Sequence, residues 1–380
     1  MIRPPFSGHE ALRSALLNAA TSGGLPATLL IYGSPGCGKQ SLALWLAEAL
    51  LCSGDTTPPC DSCQSCRFVD RLQHPDVHWY FPLPRPKGAG TPEKLGQALE
   101  KARHERIEEL RDNPLRPSGD QEVRGLYLAQ VLGIRKAAQR RPVTGDQQIF
   151  IIGDAEYLVP QEASPEAANA LLKLLEEPPG GSRFILTSSR PESLLETIRS
   201  RALSIHLPPL PEEQIASFLV SHASASSADA TEAARLGEGS IGMALGHLQD
   251  GGALTARKSD ALALLRAALA GSHGNRYAAA LNFGPAGARG LLDLLSDLQG
   301  WIRDLAAASL GRTHRIVNQS ELPFLEQEAA RLNLTPPLAA AAIERVEEAR
   351  ILAEANVNPQ LLISTLLLDL DKTLRERAVV

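Results

Sequence analysis

The run Gly33-Ser34-Pro35-Gly36-Cys37-Gly38-Lys39 has the residue types needed to hold a phosphate. Gly33, Gly36 and Gly38 let backbone N–H groups turn inward around an anion, and Lys39 has the length to reach the β- and γ-phosphates of ATP. A chance glycine-rich turn is the competing explanation. Context argues against it, because the apolar run Thr28–Tyr32 reads as a buried strand and Ser41–Leu51 has a helical pattern. A helix that starts just after such a loop adds its positive dipole end to the cradle. The next position breaks the pattern. Phosphoryl transfer needs a Ser or Thr hydroxyl on Mg²⁺ there, and this chain has Gln40. Ser41 lies about 100° further around the helix and points elsewhere.

The same metal has a second expected ligand. The apolar run Ile149–Ile152 reads as another buried strand, and it ends in Gly153-Asp154-Ala155-Glu156. A working site ends this strand in an Asp that supports Mg²⁺, followed by a Glu that positions the attacking water. Gly153 takes the first of those places and Asp154 the second. Asp154 and Glu156 are two apart and share a face, so neither restores the pair. Two departures at one metal site make ATP hydrolysis by this chain doubtful. Binding of ATP with Mg²⁺ is left open.

A different chemistry is offered by Cys52, Cys60, Cys63 and Cys66, spaced C-x₇-C-x₂-C-x₂-C. Four thiolates at these spacings can close a tetrahedral structural zinc site. The loop around them is polar and turn-rich, so bound metal would supply its folding energy. A set of free thiols is the alternative. Cys37, inside the phosphate loop, needs no role beyond small size.

These sites need a scaffold. The chain has 380 residues, 44% of them apolar and only 4% aromatic, which suits two or three domains with Leu- and Ala-rich cores. Its net charge of −5 argues against a protein whose whole surface grips nucleic acid. Any DNA contact is expected to be local, and Arg135, Lys136, Arg140 and Arg141 are the candidate patch; a solvated helix end is their plainer reading. No leader-like segment opens the chain and no apolar run reaches about 18 residues, so a cytoplasmic protein without a membrane span is expected.

Phe184–Leu186 and Leu203–Leu207 read as two further strands, Ala167–Leu175 as a helix, and residues 122–140 as an amphipathic helix. Short strands alternating with helices predict a parallel α/β domain over 1–207. Residues 52–66 read as a cysteine-rich excursion within it, the expected zinc module. The Pro-rich segment 82–120 reads as an inserted loop with one short charged helix near Leu99–Leu110. Residues 208–250 read as a small helical lid, and 251–380 as an all-α domain. Its leucine rows, at 291–298 and 361–367, could be internal core or subunit contacts.

The stretches Asn169–Pro179, Phe184–Ser189 and Ile198–Arg201 resemble the core of the bacterial clamp-loader AAA+ subunits, the gamma/tau and delta-prime subunits of DNA polymerase III holoenzyme. The resemblance covers about residues 5–250. It implies a P-loop AAA+ domain with an inserted zinc module, a lid and a C-terminal collar for oligomerisation. It also implies work in a hetero-oligomer with gamma/tau and delta subunits, acting on a sliding clamp and primed DNA in replication. Ser188 and Ser189 fall at the sensor-1 strand end. Ser200-Arg201 falls on a Ser-Arg-Cys motif whose cysteine is Ala202 here, which makes Arg201 similar to an arginine finger acting in trans; an ordinary surface arginine is the alternative. Gly239–Leu245 resembles the sensor-2 segment, with Met243 near the place of a common arginine. His74-Pro75-Asp76 resembles a family feature that shapes the return from the zinc loop to the sheet.

Gln40, Gly153 and Met243 together suit the delta-prime type, which often lacks these groups. An active gamma/tau-type ATPase is the alternative. A zinc-dependent nucleic-acid-binding module on an inactive P-loop fold is a third reading, which the acidic net charge disfavours.

Overall fold

In the first half of the chain the buried strands alternate by period 2, and the fold follows from that alternation. The computed structural model describes residues 4–87, 91–115, 124–158, 166–249, 253–282, 288–354 and 357–375. They divide into two compact units, one up to Leu248 and one from Gln249 onward.

The first unit runs α1 (Glu10–Thr21), β1 (Thr28–Tyr32), α2 (Lys39–Leu51), α3 (Gln64–Asp70), β2 (Val77–Tyr80), β3 (Leu83–Pro84) and α4 (Pro92–Asp112). It continues with β4 (Arg124–Gly125), α5 (Leu128–Ala138), β5 (Gln148–Ile152), α6 (Glu166–Glu176), β6 (Ser182–Ser188), α7 (Glu196–Arg199) and β7 (Leu203–His206). Then come α8 (Glu212–His222), α9 (Ser227–Leu236) and α10 (Ile241–Gln249). The main sheet is wholly parallel, in the order β2-β5-β6-β1-β7. Leu29, Ile31, Ile149, Ile151 and Ile185 pack on one face with α2, while Leu30, Phe150, Ile152, Phe184 and Leu186 pack on the other with α5 and α6. A parallel sheet needs cover on both faces, and both sets of side chains are almost fully buried.

Three expectations are corrected. The sheet has a fifth strand, β2, whose residues Val77-His78-Trp79 are only half buried and so carry no continuous apolar signal. The helix expected over 122–140 begins at Leu128; Arg124–Gly125 instead pairs antiparallel with Leu83–Pro84, and the Gln130 side chain accepts the Tyr127 N–H at 3.1 Å. Residues 122 and 123 lie outside the described residues. The short helix expected near Leu99–Leu110 runs from Pro92 to Asp112, with the Thr91 hydroxyl accepting the Lys94 N–H and a proline in the first turn. The last part of the expected 82–120 insertion, from 116 on, is outside the described residues.

The return from the cysteine loop is fixed by Asp76. Its buried carboxylate accepts the N–H groups of Val143 and Thr144 and the Thr144 hydroxyl, while the His74 ring nitrogen Nδ1 accepts the Asp76 N–H. Strand β2 is thereby tied to the loop that leads into β5.

Among its described residues the second unit has helices joined by turns and no strand: α11 (Ala253–Leu269), α12 (His273–Asn282), α13 (Ala288–Ser309), α14 (Leu322–Leu332), α15 (Pro336–Glu354) and α16 (Pro359–Arg375). Leu291, Leu295, Leu298, Leu362, Leu366 and Leu367 are buried in its core, so the leucine rows serve internal packing, whereas Leu361 is exposed. The carbonyls at the end of α11 are met by three guanidiniums, from Arg276, Arg331 and Arg375. Cations there suit the negative end of the helix dipole.

Candidate functional site

Strand β1 delivers the phosphate loop into the space between the sheet and α10. Gly36 has φ +71°, and a Cβ there would lie 2.5 Å from the Ser240 hydroxyl oxygen. Only glycine permits that approach. The Gly242 N–H donates to the Gly36 carbonyl at 3.0 Å, so the start of α10 sits directly on the loop.

Lys39 is 5% exposed and turned back on its own loop. Its ammonium donates to the carbonyls of Gly33 (3.0 Å) and Ser34 (2.8 Å) and to the Ser189 hydroxyl (2.9 Å). All three donors of the group are thus used.

Gln40, where the sequence pattern calls for a hydroxyl, presents an amide that is itself clamped. Its Nε2 donates to the Asp154 carboxylate at 3.0 Å, and its Oε1 accepts the Trp79 indole N–H at 3.0 Å. A Cβ on Gly153 would lie 2.7–2.8 Å from that amide. The two departures noted separately in the sequence are therefore one fit: the glutamine occupies the room that a side chain at 153 would need.

Asp154 and Glu156 take different partners. Burial, with help from the Glu156 charge, pushes the Asp154 carboxyl up to about 6, against the opposing pull of Lys39 and the Gln40 hydrogen bond. Glu156 accepts the Ser189 N–H at 3.0 Å through Oε1. Lys39, Ser189 and Glu156 form one chain of contacts, and Trp79, Gln40 and Asp154 another. Between the P-loop, the N-terminal segment and α8–α10 there remains a cavity of about 220 Å³, walled mainly by apolar groups such as Phe6, Leu44, Trp79, Leu115, Phe218 and Leu245.

The cysteines converge. One sulfur from each of Cys52, Cys60, Cys63 and Cys66 lies within 4.8 Å of all the others. A tetrahedral site with metal–sulfur bonds of about 2.3 Å needs sulfurs about 3.8 Å apart, and Cys60 and Cys66 are 3.9 Å apart. The Cys63 N–H points at the Cys60 sulfur (3.3 Å) and the Cys66 N–H at the Cys63 sulfur (3.4 Å), which favours thiolates. Burial pushes the Cys63 thiol up, but N–H donors from Cys66 and Ser53 outweigh it and hold it at about 6. Cys60 is lowered by the Ser62 hydroxyl and the Cys63 N–H, while burial raises Cys52 and Cys66. Gly54 keeps the cradle open, since a Cβ there would lie 2.5 Å from the Cys60 sulfur. The donor set fits a metal ion.

Arg201 follows α7, with its guanidinium laid along its own chain. It pairs with Glu176 at 2.6 Å and donates to the Thr197 carbonyl at 2.9 Å, and its side chain is 35% exposed. Glu176 ends α6, where a carboxylate opposes the helix dipole and a cation relieves it. Arg135, Lys136, Arg140 and Arg141 are all exposed around the end of α5 and form no ion pair among the described residues. Met243 is partly exposed on α10 beside the P-loop.

Trp79 is the site residue that sequence reasoning missed. It is one of three tryptophans in the chain and lies on the unrecognised strand, three residues past His74-Pro75-Asp76.

The family described as "DNA polymerase III, delta subunit" matches residues 8–211. The DNA polymerase III subunit delta' of Escherichia coli is 31% identical over 359 residues, covering 93% of this chain and 91% of that protein. The subunit delta' of Bacillus subtilis is 25% identical over 205 residues, 54% of this chain and 49% of that protein. The subunit tau of Salmonella typhimurium is 29% identical over 209 residues, 55% of this chain but 26% of that longer protein.

Proposed function

The chain belongs to the DNA polymerase III clamp-loader family of delta-prime and gamma/tau subunits, and from that membership we propose that it is a delta-prime-like subunit with no ATP hydrolysis of its own. The observation that carries the reading is the Gln40 amide, held between Trp79 and Asp154 at the position where a magnesium-binding hydroxyl would stand in the sequence. Phosphoryl transfer draws on a magnesium ion that would neutralise the charge developing on the phosphates, and Gln40 and Gly153 offer it neither a hydroxyl nor a carboxylate. A gamma/tau-type ATPase is the alternative, and a Lys39 whose donors are all engaged within the chain speaks against it.

In this reading the first unit is an AAA+ domain with α8–α10 as its lid, and the second unit is a collar that joins gamma/tau and delta subunits in a hetero-oligomer. Zinc is the metal that suits four cysteine sulfurs at these separations, and its role is structural, with no open position for chemistry. Arg201 acts on the nucleotide of a neighbouring subunit. Its planar, permanently charged fork suits a phosphate, and leaving Glu176 for one is inexpensive because an exposed ion pair is worth about 0–1 kcal/mol. The exposed Arg135, Lys136, Arg140 and Arg141 supply a local cationic surface for the backbone of primed DNA, while the assembly places a sliding clamp.

ATP turnover tests the reading. The isolated chain should show none above background. In the assembly with gamma/tau and delta subunits, Arg201→Ala should lower turnover at the neighbouring site by roughly 10³-fold while the subunits still co-elute. Turnover by the isolated chain would favour the gamma/tau reading. Unchanged turnover in the Arg201→Ala assembly would remove the finger.

A further inference from the structure

The insertion was left without a task by the sequence, yet its helix packs on the strand whose Trp79 holds Gln40. Leu95, Leu99, Ala102 and Ile107 of α4 form a satellite core with Phe81, Leu83 and Tyr127. Strand β2 is an edge strand, so its outer backbone groups have no strand partner. Arg103 serves that edge. Its side chain is buried, donates to the Trp79 carbonyl at 3.2 Å and lies 4.8 Å over the Tyr80 ring, with Glu100 neutralising it at 2.9 Å. Arg111 adds a second tie, to the Leu72 carbonyl at 2.7 Å. The Trp79 ring meets Phe81 edge-on at 5.3 Å, and its indole N–H reaches Gln40. Beyond the helix, Pro114 and Leu115 wall the cavity, and Leu115 also packs against the core of α8–α10.

We infer that the insertion is a brace: α4 fixes Trp79, Trp79 fixes the Gln40 amide in the metal position, and Leu115 holds α8–α10 down on the P-loop. Arg103 and Trp79 are then positioning residues for Gln40. This inference rests on the non-hydrolysing reading of the P-loop, but its test does not use turnover.

Hydrogen–deuterium exchange on the nucleotide-free full chain reads it directly, because amides that lose local support open more often. Arg103→Ala and Trp79→Phe should speed exchange at residues 38–44 by at least fivefold. Leu115→Ala should do the same at 240–245. Residues 291–305, in the second unit, should keep wild-type rates in all three. If Arg103→Ala does not fold, Trp79→Phe decides, since it removes the indole N–H and keeps an aromatic ring in place. Wild-type exchange at 38–44 in folded Trp79→Phe overturns the brace, as does a uniform rise that includes 291–305. ATP turnover by the isolated wild-type chain would instead overturn the proposed function and leave these exchange rates as they are.

Discussion

The cysteine loop and the P-loop of the first unit have the same parts list on paper, a set of ligands at recognisable spacing, and opposite geometry in space. In the cysteine loop the donors face one another at a spacing that could hold a metal ion. In the P-loop the corresponding gap is closed by the protein's own amide, ammonium and carboxylate. Spacing in a sequence says which atoms can meet. Whether the space among them is empty depends on side chains that lie far away in the chain, here Trp79 and Gly153.

Metal removal should have the largest effect. Structural zinc contributes on the order of 10 kcal/mol to folding of its module, so chelation or Cys63→Ser should release one zinc per chain and unfold residues 52–66. Elemental analysis with limited proteolysis checks this; a chain that is metal-free as purified and equally protease-resistant would break the contrast between the two loops.

Asp154 comes next. Its folded value of about 6 lies above the ordinary carboxyl value of 3.8, so the folded state binds the proton more tightly than the unfolded state. Its contribution is fully present below pH 4 and is lost as pH rises through 6, at a cost of about 3 kcal/mol. Asp154→Asn should therefore raise the urea midpoint at pH 8 and leave it unchanged at pH 4. An equal change at both pH values would mean that the carboxyl titrates normally.

The smallest effect is the most specific. Gly153→Ala should destabilise the chain by about 1–3 kcal/mol through overpacking against the Gln40 amide, and by under about 0.5 kcal/mol in a Gln40→Ser background. Additive losses in the double variant would separate two positions that the structure joins.

Much of this was legible in advance. The strands after which Lys39 and Gly153 fall are long, continuous apolar runs, and such runs declare themselves without any partner. The cysteine spacing did the same. Strand β2 was hidden because an edge position half covered by an inserted helix leaves Val77, His78 and Trp79 with no apolar signature. The start of α5 was misplaced because Val123 and Tyr127 fit helical spacing, while the pairing of Arg124–Gly125 with β3 is a tertiary contact. Gln40 and Gly153 were both read as departures from the expected pattern, but one-dimensional reading has no means of seeing that one fills the place of the other. The partner of Arg201 was invisible for the same reason, since Glu176 is 25 residues away and on another helix.

The fit of Gln40 against Gly153 also makes the two positions interdependent. Changing Gln40 alone to a hydroxyl residue would leave Trp79 and Asp154 without their shared partner. Changing Gly153 alone to aspartate would drive a side chain into the amide. Neither position can change singly toward a metal ligand without a loss of packing or hydrogen bonding, so the pair works as a latch that opens only when both residues change together.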